Sequence, residues 1–223
     1  QNDLATTGAD PDVIYITEGE DAGYYYMYIT SDKLGGAGYY AYKSKDLVNW
    51  EMAGYAVPRY NEDSRYDMKG GNMYLNGSWA NSIRYHKGTF YAAFCTPYGL
   101  GTKDGNFSVC TAKNINGPWK RTIFKEYMYD PGLFFDDNGK VYVVHGQQKI
   151  YVTELNADAL SVKVPQKEIY NNREYPYLEG SHTYKINGKY YIMGSTGGTQ
   201  GRQICLRSDN IYGPYESKEV IND

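Results

Sequence analysis

Three acidic residues open short apolar segments that resemble one another along the chain. Asp10, Asp130 and Glu179 each stand five places before an aromatic ring, and a fourth such segment runs from Ala80 to Tyr85. Carboxyl groups that lie close together repel one another, so a purely structural protein would gain nothing from grouping them. A group of three could divide the work of acid–base catalysis. One would donate a proton, one would accept a proton, and the third would set the proton inventory of the other two.

The segments that carry these acids belong to a repeated unit. Each is followed by a turn, a second apolar run and a third strand-like run, and Asn138-Gly139 and Asn187-Gly188 provide strong hairpin signals in the last two copies. The second, third and fourth copies start 50 and 49 residues apart. Four strands per unit at this period predict an all-β fold, a β-propeller of four-stranded antiparallel blades. A β-sandwich with coincidental hairpins is the alternative.

The period also predicts the limits of the blades. We expect one propeller domain over residues 1–223, with blades at 8–57, 78–122, 128–170 and 177–218, and a long polar loop at 58–77. About four blades fit in the chain, and a further unit would need about 45 to 50 more residues.

The register of the repeat predicts where the acids point. The innermost strand of each blade lines the central channel, so equivalent residues should face the axis at one height. This places Asp10, Asp130 and Glu179 around one end of the channel. Alternatively, Asp10 and Asp130 only cap turns before proline. Asp12 is an alternative to Asp10 as the acid–base residue, because the alternation of side chains along a strand turns both to one face. The repeat register favours Asp10.

Composition excludes several classes of function. The chain has 23 basic and 26 acidic residues, without the basic stripe of a nucleic-acid binder, and no apolar run long enough for a membrane span. Its 27 tyrosines suit strands and, secondarily, a carbohydrate site. Cys95, Cys110 and Cys205 lie in apolar runs and are expected to be buried free thiols. No zinc motif occurs and no cofactor is expected; a structural calcium or sodium ion in the channel has no support from the sequence.

Four ordered motifs resemble those of glycoside hydrolase family 43, whose members are five-bladed propellers that cleave xylose- and arabinose-containing glycans with inversion. The motifs are Gly8-Ala9-Asp10-Pro11, Ser78-Trp79-Ala80-Asn81-Ser82-Ile83-Arg84-Tyr85-His86, Tyr129-Asp130-Pro131-Gly132-Leu133-Phe134-Phe135-Asp136-Asp137 and Leu178-Glu179-Gly180-Ser181-His182. The resemblance implies that Asp10 is the general base and Glu179 the general acid. Asp130 would tune the pKa of Glu179 and orient its side chain. In an inverting enzyme the acid and base stand about 6.5–9.5 Å apart. Because the family has five blades, the resemblance also implies that this propeller is incomplete and that a C-terminal fragment or blade completing the ring is an expected partner; a true four-bladed ring is the alternative.

The resemblance also suggests residues that bind sugar. Trp79 would form a floor for a sugar ring, with ordinary core packing as the alternative, and Tyr129 is the equivalent neighbour in the third blade. His182 would help to shape the pocket or would be a core histidine. Arg202 would reach a sugar hydroxyl or would be a solvated hairpin arginine.

Together these features predict an exo-acting hemicellulose glycosidase, a β-xylosidase or α-L-arabinofuranosidase acting on xylo- or arabino-oligosaccharides. One alternative is a glycan-binding propeller without catalysis, or a fragment that is inactive without a fifth blade. Another is a propeller used for protein interaction. The expected compartment is the periplasm or the extracellular space, with the cytoplasm as the alternative, and no signal peptide is visible in the sequence.

Overall fold

The computed structural model describes residues 8–31, 38–57, 78–97, 105–197 and 201–222. Within these ranges the chain forms β-strands and turns, and no helix. The strands are β1 Gly8–Tyr15, β2 Tyr25–Ser31, β3 Tyr39–Ser44, β4 Glu51–Ala56, β5 Asn81–His86, β6 Thr89–Pro97, β7 Gly105–Ala112, β8 Lys120–Ile123, β9 Gly132–Phe135, β10 Val141–His145, β11 Lys149–Leu155, β12 Val162–Asn171, β13 Leu178–Ile186, β14 Lys189–Thr196, β15 Arg202–Ser208 and β16 Glu216–Asn222.

The strands form four antiparallel sheets of four strands, and each sheet consists of one copy of the repeat. Consecutive strands pair in the orders β1-β2-β3-β4, β5-β6-β7-β8, β12-β11-β10-β9 and β13-β14-β15-β16. This confirms the predicted four-stranded antiparallel units. The last strands of the third and fourth sheets run to Asn171 and Asn222, beyond the predicted limits at 170 and 218. The predicted loop at 58–77 lies outside the described residues.

Tight turns join the first two strands of the second and fourth sheets. Lys87 and Gly88 have φ angles of 49° and 70°, and Asn187 and Gly188 have φ angles of 51° and 78°. Two positive φ angles in a two-residue loop are what the right-handed strand twist requires. The Asn-Gly signal in the fourth copy was therefore interpreted correctly.

Two compact units divide the chain, one ending at Tyr127 and one beginning at Met128. In the first unit, the two sheets share a core rich in aromatic side chains. Tyr26 contacts Phe90 edge-on with ring centroids 5.8 Å apart, and Tyr39 contacts Phe94 at 5.4 Å. At these two positions the tyrosine rings pack between the sheets of this unit.

The three cysteines agree with the prediction in part. All three are free thiols, and Cys95 and Cys110 are buried. Cys205 is only half-buried, because it lies on β15 with its side chain on the less covered face of the fourth sheet.

In the second unit, a charged cluster joins the third sheet to the fourth. Lys185 Nζ lies 2.9 Å from Asp136 Oδ1, and the Tyr190 hydroxyl donates to Asp136 Oδ2 at 2.7 Å. Burial alone would raise the pKa of Asp136, but the hydrogen bonds from Tyr190 and Lys185 outweigh it and hold that pKa below its ordinary value. A buried carboxylate with two donors fixes the two sheets of this unit to each other.

Candidate active site

Glu179 lies at a bulge near the start of β13. Glu179 pairs with Ser195 and His182 pairs with Met193, so that Gly180 and Ser181 together face one residue of β14. Gly180 has a φ of 66°, which glycine adopts without a steric penalty. Bulges of this kind re-aim side chains and are frequent next to active sites.

Both aspartates also have a positive φ angle, and at Asp10 it coincides with a bulge. The pairing of β1 shifts between Ala9 and Asp12, and Asp10 has a φ of 48°. Asp130, two residues before the first paired residue of β9, has a φ of 47°. Aspartate is among the few non-glycine residues that tolerate this conformation, and strained backbone of this kind concentrates at functional sites.

These registers correct one step of the sequence alignment. The residue of the fourth sheet that matches Asp10 in conformation and pairing is Gly180, which also shares the positive φ of Asp130, and Glu179 stands one place earlier. The spacing to the next aromatic ring misplaced Glu179 because the two rings are not equivalent: His182 matches Asp12 after the bulge, so Lys185, and not Tyr184, matches Tyr15. Glycine occupies the left-handed position in the fourth copy, and the carboxylate comes from the longer side chain before it.

The half-buried carboxylate of Glu179 has two donors on one oxygen. The Tyr129 hydroxyl donates to Oε2 at 3.2 Å, and the side-chain amide of Gln147 donates a short hydrogen bond to the same atom. The structure places the hydroxyl of Tyr129 on the acid, and sugar binding by Tyr129 stays a prediction. Gln147 was not predicted from the sequence. The available signal was a pair of polar residues, Gln147 and Gln148, between two strongly apolar strands.

Asp130 is buried, with 9% of its surface exposed, and its motif lies against that of Glu179. A Cβ atom on Gly132 would stand 1.8 Å from the carbonyl oxygen of Ser181, so only glycine allows the two segments to approach this closely. Tyr129, the residue before Asp130, reaches Glu179 as described. The second unit therefore brings the Asp130 and Glu179 motifs together, and the effect of Asp130 on the acid stays a prediction.

In the first unit, Asp10 and Asp12 have different environments. Asp10 is exposed, and Asp12 is 5% exposed. The Asp12 carboxylate accepts hydrogen bonds from the backbone N–H of Ile83 at 2.7 Å and from Arg84 Nη1 at 2.9 Å. Asp12 thus links the first sheet to the second. Asp10 is the better candidate for a base, and that role stays a prediction.

The remaining predicted sugar contacts are Trp79, His182 and Arg202. Trp79 is half-buried, and its carbonyl oxygen accepts from the Tyr39 hydroxyl at 2.9 Å. His182 is half-buried on β13, directly after the bulge. Arg202 Nη1 lies 3.0 Å from Glu219 Oε2, and its guanidinium stands over the Tyr175 ring at 5.3 Å. Sugar binding by these three residues stays a prediction.

The described residues give no support to a metal centre. Among them, no group of three or more His, Cys, Asp or Glu side chains is arranged to hold an ion. The same part of the chain contains no helix that is long and apolar enough to cross a membrane.

Comparison with known proteins decides the family. The model of glycosyl hydrolases family 43 matches residues 4–221. The chain belongs to glycosyl hydrolase family 43. This family 43 chain is 34% identical over 219 residues to the non-reducing end alpha-L-arabinofuranosidase BoGH43B of Bacteroides ovatus, covering 96% of the chain and 40% of that relative. It is 32% identical over 227 residues to xylosidase/arabinosidase 43B of Humicola insolens, covering 94% and 40%.

A solved structure shows the fold of the family 43 chain. The crystal structure of a xylan beta-1,4-xylosidase from Bacillus halodurans C-125 matches it with a TM-score of 0.81 at 30% identity, over 98% of this chain and 43% of that one. The four sheets are therefore blades of a β-propeller, as the repeat predicted. The chain spans about 40% of the length of the curated relatives it matches.

Proposed function

We propose that this chain carries the catalytic centre of a glycosidase that hydrolyses xylose- or arabinose-containing glycans, as an exo-acting β-xylosidase or α-L-arabinofuranosidase. The observation that carries the proposal is the carboxyl group of Glu179. It lies half-buried at a strand bulge of a family 43 chain, with one oxygen held by Tyr129 and Gln147 and with the Asp130 motif packed against its own. The names of the relatives support the class of substrate.

The proposed reaction is a single displacement. Glu179 protonates the departing glycosidic oxygen, while Asp10 takes a proton from the water that attacks the anomeric carbon from the opposite side. The two carboxyl groups of such an enzyme stand about 6.5–9.5 Å apart to admit that water. Asp130 supplies a negative charge near Glu179, which favours the protonated form of the acid. Because water enters opposite the leaving group, the anomeric configuration inverts.

Three other residues are proposed to shape the sugar site. Trp79 offers an aromatic face to the apolar face of a sugar ring. His182 lies three residues after Glu179 on the same strand and would hydrogen-bond a sugar hydroxyl. Arg202 is proposed as a further hydroxyl contact, which would require it to exchange part of its present contact with Glu219.

Hydrolysis of aryl β-xylosides and aryl α-L-arabinofuranosides by the full chain tests the proposal. Proton NMR of the earliest product should show the anomer opposite to that of the substrate, and a Glu179→Gln variant of the chain is the matched control. Glycan binding in calorimetry without release of reducing sugar would contradict the proposal and support a non-catalytic binding propeller. Retention of configuration would contradict the single displacement.

We also propose that the protein works outside the cytoplasm, in the periplasm or the extracellular space, where hemicellulose fragments are found. Fractionation of cells that express the natural gene, followed by immunodetection, tests this location. Recovery in the cytoplasmic fraction alone would contradict it.

A further inference from the structure

The two oxygens of the Glu179 carboxyl group have different surroundings. Among the residues that the structure describes, the hydrogen-bond donors to this carboxyl group are the Tyr129 hydroxyl and the Gln147 amide, and both point to Oε2. Oε1 faces Gly197, where an added Cβ atom would stand only 2.6 Å away. A carbonyl-type oxygen accepts hydrogen bonds better than the hydroxyl oxygen of a protonated acid, so two donors on Oε2 favour a proton on Oε1.

Gln147 is held in place by the turn that carries it. The backbone N–H of Gly146 donates to the carbonyl of Tyr129 at 2.8 Å, and the N–H of Gln148 donates to the carbonyl of Leu178 at 2.9 Å. These two acceptors belong to Tyr129 itself and to the residue before Glu179. The turn between β10 and β11 is thus tied by its backbone to both segments that surround the acid.

Glycine is required at the start of this turn. Gly146 has a φ of 114°, and a Cβ atom there would stand 2.3 Å from the carbonyl oxygen of Lys149. The turn is therefore shaped for one conformation, and it presents the half-buried Gln147 side chain to Glu179. A side chain that is fixed in this way can orient a neighbour with little further loss of conformational entropy.

We propose that Gln147 is a positioning residue that reserves Oε2 of Glu179 as the acceptor, so that the acid carries and delivers its proton through Oε1. Glycine at position 197 places no side chain beside Oε1, where the departing sugar oxygen would stand. In the proton transfer, the O–H bond at Oε1 breaks and an O–H bond forms on the leaving oxygen, while the negative charge that develops on the carboxylate is held at Oε2 by Tyr129 and Gln147. This inference rests on the proposed function, in which Glu179 is the general acid.

Two substitutions at position 147 remove the hydrogen-bond donor but keep a side chain of similar length. Gln147→Met has nearly the same length but no donor, and Gln147→Glu replaces the donor by a like charge. Hydrogen bonds to an ionised carboxylate favour that form and a neighbouring negative charge disfavours it. Both variants should therefore retain the proton on Glu179 to higher pH. The matched control is Gln148→Met, because the amide of Gln148 donates to the carbonyl of Asn172 and not to the acid.

The experiment is a carbon-13 NMR titration of the full chain labelled at the glutamate carboxyl carbons, with the Glu179 signal assigned by its loss in Glu179→Gln. We expect the titration midpoint to rise by about one pH unit in Gln147→Met, and by more in Gln147→Glu, with no change in Gln148→Met. The alkaline limb of kcat/KM against pH should move by the same amounts. Unchanged midpoints in both variants at position 147 would overturn the role of Gln147.

The two proposals can fail separately. A parent chain that hydrolyses aryl glycosides, with variants at position 147 that leave its pH profile in place, would overturn the role of Gln147 alone. A parent chain without turnover would overturn the proposed function, and with it the delivery of a proton through Oε1.

Discussion

The two aspartates at the start of the chain, Asp10 and Asp12, show how local environment separates a reactive carboxylate from a structural one. Sequence alternation places them on one face, yet the bulge between Ala9 and Asp12 breaks that alternation. Asp12 is engaged by the backbone of Ile83 and by Arg84, and Asp10 is exposed. A base must receive a proton from water, which suits the exposed carboxylate.

Replacing each aspartate by asparagine should lower stability in one case and catalysis in the other. Asp12→Asn leaves the charge of Arg84 without its carboxylate partner, so we expect the free energy of unfolding to fall by about 2 kcal/mol, with kcat per folded molecule retained. Asp10→Asn tolerates the left-handed backbone, so stability should stay within about 0.5 kcal/mol while kcat falls at least about 100-fold. Urea denaturation and aryl glycoside kinetics measure both. Loss of kcat in Asp12→Asn alone would reassign the base.

Among the structural elements, the strands and hairpins were predictable, but the bulges were not. The Asn187-Gly188 turn and the alternating runs around it specify β13 and β14 through local chemistry. The bulge at Gly180 adds one residue opposite a single partner, which only the pairing of strands reveals. The first strand has the same bulge, and the aromatic rings used to align the copies are not equivalent, because Tyr184 stands one position before the counterpart of Tyr15. The sequence therefore located Glu179 on the correct strand but placed it one position away from its structural register.

The contact between β9 and β13 depends on one glycine. A methyl group on Gly132 would meet the backbone oxygen of Ser181 at 1.8 Å, and backbone cannot move aside as a flexible side chain can. We expect Gly132→Ala to lower the free energy of unfolding by about 3 kcal/mol. As a control, Gly139→Ala meets no neighbouring atom and should cost about 1 kcal/mol for its positive φ. Equal costs in urea denaturation would contradict the close approach of the two strands.

Across the whole molecule, the period of the sequence was enough to predict four propeller blades, because each sheet forms within one copy of the repeat. The period does not predict contacts between copies of the repeat. Gln147 lies in a turn of the third sheet and holds an acid of the fourth, and no pattern within either copy encodes that contact. The repeat therefore predicts the four sheets and the strands that carry the acidic residues. The residues that orient the acids depend on how neighbouring sheets pack, which the repeat does not encode.

Stability should depend on pH through His145. This side chain is buried on β10, its Nε2 lies 3.0 Å from the Thr153 hydroxyl, and burial lowers its pKa from 6.5 to about 4. Between these values the unfolded chain binds a proton that the folded chain does not, so stability falls as pH decreases from 6.5 to about 4. At about 1.4 kcal/mol per pKa unit, the loss approaches about 3 kcal/mol.

Urea denaturation of the full chain at several pH values in this range measures the effect. His145→Gln should remove most of the slope in this window. His86→Gln, on the half-buried histidine of β5, should retain most of it. The same slope in His145→Gln as in the parent would show that other groups cause the acid sensitivity.

The central claim is that Glu179 protonates the leaving group, and the dependence of rate on the leaving group tests it most directly. A Glu179→Ala variant should lose at least about 1,000-fold in kcat/KM on xylobiose, arabino-oligosaccharides or alkyl glycosides, whose leaving oxygens need a proton. On dinitrophenyl glycosides, whose leaving groups depart as anions, the loss should be about 10-fold or less. Equal losses on both kinds of substrate would contradict the account.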